Sequence, residues 1–274
     1  MTTARPQLDS RADIDLQVVA LRQARRHIQP VSWNGQPAWL KLSMPQPPAW
    51  RYQLQAGIAS LLGLPAMRPV RPQGGAAGIG NEADLLARLA AAGLRAPTLM
   101  ARGDHWLLMS DLGQTTLDSL IRGADPAARL AYWQQGADYI QQVHRAGQYL
   151  SQAFARNLVW SAEHGLGAID FEDDPITAMP LAQAQIRDWL PFLFSTAIYF
   201  KDSLPTLCAA VRNALDKEDA AVRHGLYTAL RRTAWLRSLR WLPQRMQRND
   251  VLKTHSYGEL AGLCSRRSTP PCQS

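Results

Sequence analysis

The sequence predicts an α+β protein in two lobes, and three observations carry that expectation. Short runs of alternating apolar residues, separated by turn dipeptides, dominate residues 1–112. Helical periodicity takes over from Leu117 and continues, with one break between Tyr149 and Phe171, to about residue 250. The chain has 274 residues and 46% hydrophobic content, which is enough to bury a sizeable core. The expected division is a strand-rich first lobe over 1–112, a helical second lobe over 113–255 and a disordered tail over 256–274.

In chain order, a helix-like run spans Ile14 to Arg26. The segments RHIQPVSW and QPAWLKLS then flank Asn34-Gly35, the dipeptide most suited to a two-residue hairpin. The second of these strands holds a single cation, Lys41, between Leu40 and Leu42, and Pro45, Pro47 and Pro48 end it. Residues 49–64 (AWRYQLQAGIASLLGL) form an apolar helix candidate, to be packed as core or laid in a bilayer interface. Residues 68–80 (RPVRPQGGAAGIG) read as a flexible loop, after which Asn81 caps a helix with Glu82 in its first turn and Leu85, Leu86 and Leu89 on one face. That glycine-rich stretch precedes a helix N-terminus, where phosphate can bind. It lacks a P-loop ending and a preceding strand, so a linker is the leading reading and a phosphate flap the other. Two strands surround Gly103-Asp104, and helices are expected over Leu117–Arg122 and Pro126–Ala146.

Charge narrows the partners. Thirty Lys and Arg against 22 Asp and Glu leave +8, which suits an anionic partner such as a nucleotide or a phospholipid surface. The run LRRTAWLRSLRWLPQRMQR, with Arg231, Arg232, Arg237, Arg240, Arg245, Arg248, Trp235 and Trp241, suits anionic lipid or a polyphosphate, or a solvated helix packed through its tryptophans. No nucleic-acid-binding motif accompanies the charge, so nucleic acid is not expected. The cysteines Cys208, Cys264 and Cys272 form neither a Cys-x-x-Cys pair nor a metal cluster, and their odd count fits a reducing compartment. The first residues carry acids early and no apolar core of a signal, and no stretch reaches the ~18 uncharged apolar residues of a membrane span. The expected location is cytoplasmic, with peripheral contact at the inner membrane face open.

Four features fall in an informative order: the strand lysine Lys41, the helix glutamate Glu82, the segment VHRAGQYLSQAFARNLVW, and AIDFEDD. Over roughly residues 30 to 200 this order resembles the protein-kinase-like fold, and more closely its bacterial lipopolysaccharide (Kdo/heptose) kinase-type family. The resemblance implies that Lys41, fixed by Glu82, holds nucleotide phosphates, and that Asn157 and Asp170 hold Mg²⁺ with ATP as cosubstrate. It further implies that Asp188 in AQIRDWLPFLF braces the catalytic-type loop from below and that His144 is the histidine often found just before that loop. Each residue has an ordinary alternative. A lone strand lysine usually faces solvent, and a first-turn glutamate usually complements the helix dipole.

The pattern also departs from the family. Where a His-x-Asp-x-x-x-x-Asn loop has its catalytic aspartate, this chain has Gln152, and Leu150 replaces the histidine. The glycine of Asp-Phe-Gly is Glu172, followed by Asp173 and Asp174, any of which is a candidate substitute base. General-base help is typically worth ~10²–10⁴-fold, whereas positioning and electrostatics dominate phosphoryl transfer. The expectation is therefore an ATP/Mg-dependent phosphotransferase acting on a lipid or sugar hydroxyl, or on a protein side chain. The alternatives are a pseudokinase that binds nucleotide without turnover and a peripheral membrane-binding protein.

Overall fold

In a computed structural model, residues 5–45, 66, 70, 73–171, 173–241 and 248–266 are described, and the architecture is α+β. Strand β1 (Gln7–Leu8) lies parallel to β2 (Ile28–Trp33), which forms an antiparallel hairpin with β3 (Gln36–Leu42). Strands β4 (Leu99–Gly103) and β5 (Trp106–Ser110) form the second hairpin, and the sheet order is β1-β2-β3-β5-β4. The first turn is the one that its sequence favours. Asn34 and Gly35 both take positive φ (48° and 78°), the mirror-image turn whose twist matches the strands it joins.

The two faces of β3 explain its near-continuous apolar character, because both are covered. Ala38, Leu40 and Leu42 face α1 (Arg11–Gln23), where Ile14, Val18 and Leu21 complete a small core. Trp39, with Leu107 and Met109 of β5, faces α2 (Gly75–Ala91), against Ile79 and Ala83. Strand alternation puts Lys41 on this second face, opposite Leu107 in the register.

Helix α2 corrects an expectation. It begins at Gly75, with Gly74 as N-cap, so the glycine-rich stretch is mostly helix and not a loop, and Asn81 is no cap. Glycine costs about 1 kcal/mol against alanine in a helix, but Ala76 and Ala77 favour one and Ile79 is buried against the sheet. Gly78 has a steric reason, since a Cβ there would collide with the Gln73 carbonyl oxygen. As a result Glu82 sits about two turns into the helix and not in its first turn. The other face of α2, through Leu85, Leu86 and Leu89, joins the large core of the helical part.

That part comprises α3 (Leu117–Gly123), α4 (Pro126–Arg145), α5 (Leu181–Thr196), α6 (Leu204–Leu215), α7 (Ala220–Thr233) and α8 (Arg248–Ser265). Asp125 caps α4 by accepting from Ala127 and Ala128 N–H, with Pro126 in the first turn. In the core of that part, Phe192 meets Trp133 in a tilted contact and Trp189 edge-on, with ring centroids 5.5 and 6.1 Å apart. A two-stranded hairpin, β6 (Leu158–Ser161) with β7 (Gly165–Ala168), interrupts the helices between α4 and α5.

The expected tail over 256–274 is corrected for its first part. Residues up to Ser265 continue α8, which buries Tyr257, Leu260, Ala261 and Cys264. There the Cys264 thiol meets that of Cys208 on α6, with the two sulfurs 2.6 Å apart. The candidate helix over 49–64, Cys272 and Glu172 lie outside the described residues. Among the described residues, no helix is long and apolar enough to cross a membrane.

Candidate functional site

On the α2 side of the sheet, Lys41 Nζ donates to Glu82 Oε1 at 3.0 Å and stands 3.6 Å from Asp170 Oδ1. Lys41 and Glu82 are both buried (9% and 4% exposed), whereas the Asp170 side chain is 41% exposed. A buried ion pair rarely adds net stability, because desolvating both charges offsets their attraction. Its value here is geometric, in that the ammonium is held in one place beside an open carboxylate.

Asp170 follows β7 and has φ 72°, a left-handed conformation that is uncommon outside glycine. Ser151 has φ 70° and is fully buried, and its hydroxyl finds no hydrogen-bond partner among the described residues. Two such positions on adjoining segments mark stored strain, which collects at functional sites. Between them runs a connected backbone. Asn157 ends a short 3-10 turn, its Nδ2 donates to the Gln152 carbonyl at 3.0 Å, and its carbonyl accepts from Ile169 N at 2.9 Å. That arrangement uses the donor end of the buried Asn157 amide and leaves Oδ1 as its acceptor end, while the backbone bond to Ile169 ties Asn157 to the residue before Asp170.

The segment that carries Gln152 is anchored from below. Asp188 Oδ2 accepts from Leu150 N at 2.7 Å and meets His144 Nε2 at 3.3 Å. His144 Nδ1 meets Glu218 Oε1 at 2.9 Å, and Trp189 Nε1 donates to the same oxygen. Burial alone would push the His144 imidazole down, but hydrogen bonds and charge from Asp188 and Glu218 outweigh it and raise it to about 9. Complete burial pushes the Asp188 carboxyl up, against the pull of His144 and the Leu150 N–H.

Three groups that sequence reasoning did not single out, Arg187, Arg88 and Tyr149, also converge here. Gln152 Nε2 donates to Asp173 Oδ2 at 3.1 Å, and Arg187 reaches the same oxygen at 3.4 Å. Arg187 is the only cation in α5 and stands next to Asp188, a signal legible in the sequence. The Tyr149 hydroxyl accepts from Arg88 at 2.8 Å and donates to Asp174, so α2 is tied to the segments on either side of the site. Burial and the Asp174 carboxylate push the Tyr149 phenol up, keeping it a donor.

Among the described residues no group of three or more His, Cys, Asp and Glu forms a metal cage. The donors present still suit Mg²⁺, which prefers hard oxygens and usually takes one or two protein ligands, with phosphate and water filling the rest. The Asp170 carboxylate and the Asn157 amide oxygen fit that pattern. Farther away, Arg231, Arg232, Arg237 and Trp235 lie on the surface, while the side chains of Arg240, Trp241, Arg245 and Arg248 lie outside the described residues. No protein-family model matches the chain, and no curated protein is significantly similar to it.

Proposed function

We propose that this chain is a two-lobed, kinase-like protein that binds a nucleoside triphosphate with Mg²⁺ between its sheet and its helical part. The observation that carries this reading is the buried Lys41–Glu82 pair with Asp170 3.6 Å from the same ammonium. Lys41 would hold phosphate oxygens, Glu82 would keep its rotamer fixed, and Asp170 and Asn157 would hold the cation. Mg²⁺ would neutralise phosphate charge and align the terminal phosphoryl group. The reaction class is phosphoryl transfer to a hydroxyl, on a sugar, a lipid or a protein side chain. Gln152, where the family has its aspartate, makes slow turnover the expectation. Its engagement with Asp173 also favours a second reading, nucleotide binding without chemistry.

Thermal unfolding with ATP and Mg²⁺ tests both. A ligand at 100 times its Kd stabilises by about 2.7 kcal/mol, equivalent to several degrees in Tm for a chain of this size. Lys41→Ala should abolish the shift. No shift in the wild type, at any Mg²⁺ concentration, removes both nucleotide readings. Contact with an anionic bilayer is supported by Trp235, 46% exposed and flanked by Arg231, Arg232 and Arg237. The protein should float with phosphatidylglycerol vesicles at low salt and be released at high salt, and failure to float under either condition ends that reading.

A further inference from the structure

We propose that Asp173 is the positioning residue for Gln152, fixing its amide so that Oε1 is presented to the hydroxyl that attacks the nucleotide. The inference rests on the nucleotide reading above and adds to it the group that orients the acceptor. A carboxylate only accepts hydrogen bonds, so the Gln152 amide must turn Nε2 toward Asp173 Oδ2, 3.1 Å away. The opposite rotamer would set two oxygens against each other. Oε1 therefore points away from Asp173, and it has no hydrogen-bond partner among the described residues. Gln152 is partly exposed, whereas Asp173 is buried.

The holder is itself held. Arg187 grips Asp173 Oδ2 from α5, and the next residue, Asp188, fixes the backbone at Leu150. Asn157 Nδ2 fixes the Gln152 carbonyl. Amide orientation, loop backbone and the candidate cation ligand thus belong to one hydrogen-bonded unit. A neutral amide oxygen can accept a hydrogen bond from an alcohol or water and aim it, but cannot take its proton. In the transfer, the acceptor oxygen bonds to the terminal phosphorus as the bridging P–O bond to the nucleoside diphosphate breaks. The hydroxyl proton goes to a nonbridging oxygen of the transferred group and then to solvent.

This arrangement opposes a simple repair. Gln152→Asp would turn a second carboxylate toward Asp173, a like-charge contact. The aspartate becomes tolerable only when Asp173 is neutral, so the two positions are expected to behave as one unit. The test is a double-mutant cycle on the full chain with Gln152→Asp, Asp173→Asn and the pair. Without nucleotide, Gln152→Asp is expected to lower Tm by about 3–6 °C and the pair to recover most of that loss. Additive Tm changes overturn the contact. With ATP and Mg²⁺, Asp173→Asn is expected to lower kcat for phosphate release about tenfold at unchanged KM, and the pair to exceed Gln152→Asp alone. Gln152→Met, similar in volume and lacking the amide, should lose the same turnover. An Asp173→Asn or Gln152→Met variant with wild-type kcat overturns the positioning role. Absence of any nucleotide-induced Tm shift in the wild type instead overturns the nucleotide reading, and the nucleotide-free cycle still decides whether the contact exists.

Discussion

At Ser151 the chain accepts two costs at one residue, a left-handed backbone and a buried hydroxyl without a partner among the described residues. Each is worth about 1 kcal/mol or more. Glycine removes both and gives back some of the gain through chain entropy. Ser151→Gly is therefore expected to raise Tm by about 2–4 °C, measured by calorimetry. A stabilised variant that turns over more slowly would identify the strain as part of how Gln152 is aimed. An unchanged Tm would mean that the buried hydroxyl finds a partner. Gln152 is the residue where sequence and structure complement each other most. The sequence draws attention to Gln152, but not to its contact with the carboxylate 21 positions later. Periodicity reports which face a side chain lies on, and gives no information on which distant side chain it touches.

Among the elements, His144 of α4, Asp188 of α5 and Glu218, in the turn between α6 and α7, join three parts of the helical body through one imidazole. Its folded value of about 9 exceeds the 6.5 of a free histidine, so the native state holds a proton that the unfolded chain releases. The stabilisation is complete below about pH 6.5 and is lost as pH rises through 9, an effect on the order of 3 kcal/mol. Urea unfolding between pH 6 and 9.5 should show this decline, and His144→Gln, less stable throughout, should flatten it. An equal slope in both proteins would assign the decline elsewhere. The elements differ in how far the sequence reveals them. Asn34-Gly35 announces its hairpin because few other residues tolerate that turn. The start of α2 was hidden by three glycines that local propensity counts against a helix, while burial of Ile79 counts for it. The end of α8 was readable, since Tyr257, Leu260, Ala261 and Cys264 follow helical spacing.

Across the whole molecule, α2 is an element that links the sheet to the helical core. Ile79 and Ala83 pack on the sheet, Leu85, Leu86 and Leu89 join the helical core, and Glu82 and Arg88 reach into the site from the same helix. A shift of α2 would break the Lys41–Glu82 pair and the Arg88–Tyr149–Asp174 chain together. Occupancy of the site and the relation between sheet and helical body are therefore expected to change as one. Hydrogen exchange should detect this coupling as joint protection of α2 and the segment after Asp170 when ATP and Mg²⁺ are added. Protection confined to one of them would separate the two. This coupling was not legible in the sequence, because its contacts span 41 and 61 residues.

The meeting of Cys208 and Cys264 gives the C-terminal helix a second possible state, a covalent one. The hydrogen bond from Cys264 is the main influence pulling the Cys208 thiol down, toward the thiolate that attacks a disulfide. Oxidation by a disulfide reagent such as oxidised glutathione would join residues 56 positions apart while reducing the reagent to two thiols. A loop of that length removes about 4 kcal/mol of chain entropy from the unfolded state. Intact mass should record the loss of two hydrogens, with a Tm that falls again on adding dithiothreitol. Unchanged mass after prolonged exposure would show the pair to be sealed from reagent. The surroundings in which the protein is kept would thus set its resistance to unfolding, independently of anything bound at Lys41.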